Sequence, residues 1–353
     1  MSTTVAVVGV ATVLCGCQIN NFSLEAIVSV PEGKKFGVAL TFIQFAFIAA
    51  LALLENLVWQ GDEVKDDKGK IVEKKRFTPL PLPIGLRRRE LDTKWLMCMA
   101  FIFWLVSVIN NLVFKFHISM PLHNVFRSSS LITNIIVGFT LFGRRYSFPQ
   151  ILCAVAVTIG LTSLTMITSA EMRSKRASEG KETDGQYTEW ITGISLLVLS
   201  VTLSAALGLI QDRTYSQARK EYAERTGDDG PQEPRWREAL FYSHAMTLPL
   251  FLVFYWKEIV TSTAAVPPEL WKTIAVNVLS QYACIRGVYT LTDATSAFTM
   301  TLVITLRKFF SLLISIWWFG HAANFEAEHW ASMLLTMLGA SAYAFMPSKK
   351  KLD

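Results

Sequence analysis

The sequence predicts an all-α membrane protein with ten transmembrane helices, arranged as two five-helix repeats of inverted topology. Three observations predict this fold class. The 353 residues are 52% hydrophobic with a mean hydropathy of +0.35, which is too apolar for an ordinary soluble domain. The chain contains about ten apolar windows close to the roughly 20 residues that span a bilayer. Its two halves also share a residue pattern, described below.

The ten spans follow from hydropathy read in windows of bilayer length. The first window lacks the basic segment of a secretory signal, so we interpret it as a retained helix. The predicted spans are 3–19, 36–59, 95–114, 119–142, 148–168, 190–211, 239–257, 271–291, 295–319 and 328–346.

The distribution of basic residues predicts the orientation, because cytosolic loops are enriched in Lys and Arg. With a cytosolic N-terminus, the cytosolic segments hold most of the 34 Lys and Arg residues, so both termini are predicted to face the cytosol. Segment 60–94 is expected to be a solvated cytosolic loop, 212–238 a connector between the halves, and 169–189 a polar lumenal linker. The basic loops lack the aromatic interleaving of single-strand binders, so no nucleic-acid partner is predicted.

Two smaller signals concern location and redox state. Lys350 and Lys351 stand fourth and third from the C-terminus, the spacing of a dilysine signal that coat proteins use to return membrane proteins to the endoplasmic reticulum. The sequence therefore predicts the endoplasmic reticulum membrane, with the Golgi as the alternative. The five cysteines all fall in predicted spans, so neither a disulfide framework nor a zinc site is predicted.

The two halves resemble each other around a buried cation, an FG dipeptide and a glycine. Arg127 precedes Gly160 by 33 residues, and Arg307 precedes Gly339 by 32. The fourth and ninth spans run in opposite directions, so the repeats are inverted, an arrangement that permits alternating access to a site near the midplane. The predicted domains are a first repeat, a lumenal linker, a second repeat and a cytosolic tail: 1–168, 169–189, 190–346 and 347–353.

Polar residues on the fourth and ninth spans fall on shared helical faces. On the fourth span they follow a spacing of four, three and four residues, which places them on one side of a helix: His123, Arg127, Ser130 and Asn134. On the ninth span Lys308 and Ser311 share a face, and Arg307 reaches Ser311 as its i+4 neighbour. The two adjacent cations can therefore converge on one ligand.

The eighth span adds Tyr282 and Arg286 on a further polar face. Arg286 lies near the cytosolic end, and the sequence leaves open whether it contacts a ligand or snorkels to the interface. Glu55 and Asp293 are the carboxylates nearest these spans, so we expect ion pairs within the protein to be too few for four intramembrane cations. Because Arg and Lys are natural phosphate donors, a dianionic phosphate-bearing ligand is predicted.

Several intramembrane polar residues have a simpler interpretation than ligand binding. Asn110, Asn111 and Gln44 are expected to form interhelical hydrogen bonds. His123 and His244 are expected to be packed and hydrogen-bonded. For the cations this interpretation is weaker, because an intramembrane charge indicates function by default.

Three stretches carry a family resemblance that covers nearly the whole chain. They begin at Val108 ("VINNLVFKFHISMPLHNVFRSSSL"), Glu238 ("EALFYSHAMTLPLFL") and Gln281 ("QYACIRGVYTLTDATSAFTMTLVITLRKFF"). They resemble the UDP-N-acetylglucosamine/UDP-xylose transporters of the UAA group of nucleotide-sugar transporters, in the drug/metabolite transporter superfamily.

The resemblance implies ten helices, cytosolic termini, no cofactor, and exchange of a cytosolic UDP-sugar for lumenal UMP. It also implies that Arg307 and Lys308 contact the phosphates, and that Tyr242 and Ser243 lie near the nucleobase. "FYSH" departs from the "FYNN" of GDP-sugar carriers, which argues against GDP-sugars. The preferred sugar and the oligomeric state, including a homodimer, stay open.

A membrane-embedded transferase of glycan or lipid synthesis is the alternative from another class. The sequence has no Asp-rich metal–phosphate motif and no His/Asp acid–base pair on a loop, so it favours transport over catalysis. A scaffold without transport would have no reason to hold buried cations.

Overall fold

The structure is a computed structural model of the full chain. It describes residues 3–28, 30, 36–59, 63–65, 71–74, 83–87, 89–113, 116, 130–177, 186–226, 234–295, 299–304, 306–307 and 326–344. The labelled helices are α1 Thr3–Val28, α2 Gly37–Asn56, α3 Thr93–Val113, α4 Ser130–Phe142, α5 Phe148–Ala177, α6 Gln186–Thr226, α7 Trp236–Ala245, α8 Leu248–Ala264, α9 Leu270–Ala294 and α10 Ala327–Ala344. Residues 299–304 are also helical.

The predicted all-α membrane class is confirmed in its coarse form. Among the described residues, five helical stretches are long and apolar enough to cross a membrane: Val7–Val28, Gly37–Asn56, Thr93–Val113, Ile191–Arg225 and Trp236–Ala264. Two shorter apolar helical stretches, Ser130–Phe142 and Phe148–Ser163, fall within the predicted fourth and fifth spans. Ten spans and inverted repeats stay predictions.

Four helices differ clearly from their predicted bounds. The first, predicted to end at residue 19, continues to Val28. The fifth and sixth continue to Ala177 and Thr226, through segments expected to be a linker and a connector. Hydropathy marks where a helix meets lipid, whereas Ala, Arg, Lys, Glu and Gln extend helices well into water. The seventh span breaks at 246–247 because Pro249 has no N–H to donate and would clash with the preceding turn.

Segment 57–86, which covers the end of the predicted second span and most of the predicted loop, contains short strands. Leu57–Trp59 (β1) pairs antiparallel with Pro83–Leu86 (β4), and Glu63–Lys65 (β2) pairs with Ile71–Lys74 (β3). The predicted loop therefore contains paired strands, and its solvated, cytosolic position stays a prediction. Charge and proline content indicated exposure and gave no sign of the pairing.

The chain forms two compact units. Unit 1 comprises Met1–Leu105 and Ile210–Ala297, and unit 2 comprises Val106–Leu209 and Phe298–Asp353. The units group residues that are in spatial contact, whereas the predicted repeats are consecutive stretches of the chain. The repeat boundaries therefore stay predictions.

In unit 1, α1 packs along α9 at very short range. A Cβ on Gly16 would stand 2.9 Å from the backbone nitrogen of Cys284, so only glycine permits this approach. Beside it, Cys17 and Cys284 form a disulfide across 267 residues of sequence. The prediction of no disulfide is therefore wrong, because placing all the cysteines in spans did not show that two of them would face each other.

A buried polar cluster joins α1, α2 and α9 in unit 1. The Asn277 side chain is fully buried, and its Oδ1 accepts a hydrogen bond from Gln44 Nε2 at 2.6 Å. Its Nδ2 donates to the Asn20 carbonyl and to Ser23 Oγ, both at 3.0 Å. Asn20 Nδ2 donates in return to the Asn277 carbonyl at 2.9 Å. The interhelical role predicted for Gln44 is confirmed.

In unit 2, α5 packs along α10 through the two glycines that marked the repeat. A Cβ on Gly160 would overlap Thr336 Oγ1 and stand 2.7 Å from the Ser332 carbonyl oxygen. A Cβ on Gly339 would stand 3.1 Å from the carbonyl oxygen of Cys153. The apolar core nearby contains Leu131, Ile135, Ala154, Val157 and Leu302.

Candidate functional site

Six of the predicted binding or targeting residues lie outside the described residues. They are His123, Arg127, Lys308, Ser311, Lys350 and Lys351. Their roles stay predictions. The others lie in one unit or the other, and each unit is described separately.

In unit 2, the described part of the predicted site comprises Arg307 and Asn134. Asn134 on α4 is 2% exposed and donates a hydrogen bond from Nδ2 to Thr301 Oγ1 at 3.0 Å, which joins the fourth and ninth spans. Arg307 is 8% exposed, so its side chain lies within the protein and not in lipid. A guanidinium at such a place is costly, and the predicted role of Arg307 in ligand binding stays a prediction.

Other polar residues of unit 2 have structural roles. Ser200 Oγ donates to Asn110 Oδ1 at 2.7 Å, which confirms the interhelical role predicted for Asn110. Asn111 donates to the Ser107 carbonyl of its own helix at 3.0 Å, a bond that does not cross between helices. A cavity of about 380 Å³ lies at the α4–α5 turn, and its lining contains none of the predicted site residues.

In unit 1, α7 carries Tyr242 and Ser243, the residues associated with the nucleobase. Tyr242 is half-buried and its ring lies 5.0 Å from the Phe241 ring, whereas Ser243 is 1% exposed. The next residue, His244, is fully buried against Phe45, with ring centroids 4.9 Å apart. Its Nδ1 bonds the Leu240 carbonyl at 2.8 Å, so the expectation of a packed, hydrogen-bonded histidine is confirmed.

Arg286 on α9 has an acidic partner within the protein. Its Nε lies 2.9 Å from Glu55 Oε1, at the end of α2. Tyr282, one turn earlier on α9, donates its hydroxyl to the same oxygen at 2.8 Å. The guanidinium also lies 4.9 Å from the ring of Trp236, at cation–π range.

The contact with Glu55 refines the sequence interpretation of Arg286. Two predicted site residues, Tyr282 and Arg286, are brought together as expected from their i, i+4 spacing. They meet Glu55, which sequence reasoning treated as a nearby carboxylate without a role, and Trp236, which it did not consider. The available signal was that Glu55 is the only charged residue of α2.

The second carboxylate near these spans, Asp293, belongs to another cluster of unit 1. It accepts hydrogen bonds from Arg219 Nη1 and from the backbone N–H of Arg235, both at 3.0 Å. Burial lowers the pKa of Arg235, and the nearby carboxylates of Glu90 and Asp293 oppose that shift. Asp293 is 4% exposed. Its hydrogen bonds connect the C-terminal end of α9 to Arg219 on α6 and to Arg235 just before α7.

A third carboxylate, Glu238 on α7, holds the segment of chain that leads into α3. It accepts backbone N–H groups of Glu90 at 2.9 Å and Leu91 at 3.2 Å. Among the residues that the structure describes, no three His, Cys, Asp or Glu side chains are grouped as metal ligands. The polar chemistry found in unit 1 is therefore that of ion pairs and hydrogen bonds.

Comparison with known proteins supplies the family context. A sequence model of the UAA transporter family matches residues 5–346. The chain is 33% identical to the UDP-N-acetylglucosamine transporter of Dictyostelium discoideum, over 96% of this chain and 91% of the relative. It is also 33% identical to the UDP-xylose and UDP-N-acetylglucosamine transporter of Danio rerio, over 95% and 92%.

Two further matches extend this picture. The endoplasmic reticulum GDP-fucose transporter of Drosophila melanogaster is 31% identical, over 96% of this chain and 90% of its own. A solved crystal structure aligns with a TM-score of 0.58 over 97% of this chain and 96% of its own, at 11% identity. That likeness shows a shared fold and carries no information on substrate.

Proposed function

The chain belongs to the UAA transporter family, and on that premise we propose that it exchanges a cytosolic UDP-sugar for lumenal UMP. Members of this family are nucleotide-sugar transporters and not enzymes, so the transferase alternative is not favoured. The observation that carries the proposal is the burial of Arg307 inside an otherwise apolar helical stretch. An intramembrane cation indicates function by default, and an arginine fork suits the phosphate oxygens of a nucleotide-sugar diphosphate.

The choice of UDP-N-acetylglucosamine, UDP-xylose or both rests on the relatives and on one motif. The Dictyostelium and Danio proteins are named for these two sugars. The "FYSH" sequence that contains Tyr242 and Ser243 departs from the "FYNN" of GDP-sugar carriers. A GDP-sugar is the competing substrate, because the Drosophila relative is named for GDP-fucose.

The proposed architecture has ten spans in two inverted repeats, 1–168 and 190–346, joined by 169–189. If the two repeats are equivalent, each span corresponds to the span five positions earlier or later in the chain. Within the units, span 1 packs on span 8, span 3 on 6, span 2 on 7, span 4 on 9 and span 5 on 10. Under this correspondence, the pair 1–8 becomes the pair 6–3, whereas the pairs 2–7, 4–9 and 5–10 each become themselves. These five contacts are therefore compatible with a repeat, and this supports the repeat proposal.

In the proposed mechanism, Arg307, Lys308 and Arg127 bind the diphosphate. Arg offers a bidentate fork and Lys a compact point charge, so together they suit phosphate oxygens. The remaining polar contacts are assigned to Ser311, His123, Asn134, Tyr242, Ser243, Tyr282 and Arg286. Rocking of the repeats exposes the ligand to one side of the membrane at a time.

Obligatory exchange is proposed on electrostatic grounds. In the empty carrier, the phosphate-binding cations would pass through the closed state without the counter-charge of their ligand, and removing one partner of a buried charge interaction costs several kcal/mol. Reorientation of the empty carrier should therefore be slow. A loaded carrier, with UDP-sugar in one direction and UMP in the other, avoids this cost.

The carrier is proposed to reside in the endoplasmic reticulum membrane, with both termini cytosolic and the Golgi as the alternative. The tail signal at Lys350 and Lys351 would recruit the coat-protein retrieval machinery. Substitution of both residues by serine should shift the protein toward the Golgi and leave transport unchanged. Unaltered endoplasmic reticulum staining of this variant would exclude the tail as the address.

Transport is tested with purified protein in proteoliposomes. Labelled UDP-N-acetylglucosamine should accumulate when UMP is preloaded and not otherwise, and a panel of unlabelled UDP- and GDP-sugars should identify the preferred substrate. Product formation without accumulation would favour an enzyme. If neither accumulation nor product is observed, the result would favour a scaffold.

The cation assignment is tested in the same assay. Hydrogen bonds to charged groups contribute about 1.5–3 kcal/mol, so Arg307→Ala or Lys308→Ala should lower uptake at least about tenfold. Lys272→Ala, which removes an exposed cation on α9, is the matched control and should transport normally. Unchanged uptake by the Arg307 and Lys308 variants, at equal amounts of folded protein, would defeat the assignment.

A further inference from the structure

The ion pair of Arg286 combines partners from three helices of unit 1. Glu55 stands in the last turn of α2, Tyr282 and Arg286 on one face of α9, and Trp236 at the start of α7. The Arg286 side chain is 41% exposed and that of Glu55 is 23% exposed. The pair is therefore neither sealed in the core nor free in solvent, and a ligand can reach it.

The guanidinium is held in place while most of its hydrogen-bonding capacity is unused. Its ion pair with Glu55 employs Nε, and the Trp236 ring lies 4.9 Å from its central carbon. A guanidinium carries five N–H donors, and the terminal Nη groups form the fork that matches phosphate oxygens. Among the described residues, Nε donates to Glu55 Oε1, and the guanidinium is also within hydrogen-bonding reach of the Tyr282 hydroxyl. Arg286 is thus oriented and still able to bind an anion.

The Glu55 carboxylate is satisfied on one oxygen. Oε1 accepts both Tyr282 and Arg286, whereas Oε2 is buried and has no hydrogen-bond partner within the described part of the chain. A buried acceptor without a partner is destabilising. A bidentate Arg–carboxylate pair would avoid that cost, so this single-point contact is a weaker hold that another anion can displace.

From this geometry we propose that Glu55 is an internal counter-anion, which occupies Arg286 in the empty carrier and is exchanged there for a phosphate group of the incoming nucleotide. This inference rests on the proposed transport function. Glu55 competes with substrate for one cation, so it weakens binding and speeds release. It acts through Arg286 and is a positioning residue that sets affinity.

The competition has a measurable consequence for the transport kinetics. Partly exposed ion pairs contribute about 0.2–1 kcal/mol, so removing the competing carboxylate should tighten nucleotide binding by up to about fivefold. Glu55→Gln keeps the size of the side chain and an oxygen that accepts the Tyr282 hydroxyl. We expect its KM for UDP-N-acetylglucosamine and its half-inhibitory concentration of UMP to fall about two- to fivefold. The maximal rate should fall with them, because release becomes slower.

A double-substitution cycle separates competition from a merely structural ion pair. If Glu55 acts on affinity through Arg286, Glu55→Gln should leave KM unchanged in an Arg286→Gln background. Glu221→Gln is the control, because it removes an exposed carboxylate of α6 that does not contact Arg286. It should leave KM and the maximal rate unchanged in the wild-type background.

The inference would be overturned by an unchanged or higher KM in Glu55→Gln, or by a fall of equal size in the Arg286→Gln background. If Glu55→Gln does not reach the membrane folded, the same KM measurement on Glu55→Asp tests the inference. Aspartate keeps the charge but is one methylene shorter, so it should lower KM in the same direction by a smaller factor. Wild-type protein that exchanges UDP-sugar while the Glu55 variants show no effect refutes this inference alone. Absence of exchange by the wild-type protein refutes the proposed function itself.

Discussion

The buried polar cluster around Asn277 yields a prediction about how unit 1 is held together. Asn277→Leu replaces the side chain by an apolar one of similar size and removes three hydrogen bonds, one from Gln44 and two to Asn20 and Ser23. Side-chain hydrogen bonds between membrane helices contribute about 0.6 kcal/mol each on average. The three bonds together therefore account for about 2 kcal/mol.

A further cost comes from the partner that is left behind. Gln44 is 9% exposed, and its amide would lose its acceptor in a place that water does not reach easily. A stranded buried donor costs about 1–3 kcal/mol, so the total loss of stability should be about 3–5 kcal/mol. Ser23 is less affected, because its hydroxyl also donates within α1, to the Ile19 carbonyl.

The measurement is the thermal midpoint of purified protein, followed by the loss of its monodisperse peak in size-exclusion chromatography after heating. Asn277→Leu should lower the midpoint by several degrees. Gln44→Leu combined with Asn277→Leu should recover part of this loss, because no amide is then stranded. Thr12→Val is the control, since it removes only an exposed hydroxyl that bonds the Val8 carbonyl of its own helix. A midpoint of Asn277→Leu equal to that of the wild-type protein would refute the reasoning.

Two other predictions concern close helix contacts. Gly160→Ala should lower the thermal midpoint, because its Cβ would stand 2.7 Å from the Ser332 carbonyl oxygen and such overpacking costs about 1–3 kcal/mol, offset in part by the helix propensity of alanine. Gly9→Ala should leave the midpoint equal or higher, since its nearest atom is 3.7 Å away, and equal losses in both variants would contradict this explanation. The disulfide predicts that proteolytic fragments containing Cys17 and Cys284 migrate together without reductant and separate with it. Fragments of Cys17→Ser should separate in both conditions, and wild-type fragments that separate without reductant would exclude the bond.

Local patterns in the sequence predict the elements and some of the contacts within unit 2. The glycines of the repeat, Gly160 and Gly339, lie where α5 and α10 approach most closely, and Asn134 meets Thr301 as two polar residues in apolar spans should. These features follow from composition and helical periodicity. An apolar window fixes a span, and a small or polar residue within it can be satisfied only by a neighbouring helix.

Hydropathy alone was a poor guide to the helix ends. It did not predict the continuation of α6 to Thr226 or the break before Pro249, because backbone hydrogen bonding continues or stops for reasons other than contact with lipid. It also gave no sign of β1 to β4, whose pairing depends on which segments meet.

The sequence by itself determined that this chain is a helical membrane protein with costly cations in its apolar stretches. Only the tertiary structure decided which partners these and other polar groups have: Glu55 for Arg286 across 231 residues, and Cys17 for Cys284 across 267. The physical reason is the range of the forces. Periodicity and hydropathy act over a few turns of helix, whereas an ion pair or a disulfide requires two distant helices to present particular atoms to each other within a few ångströms.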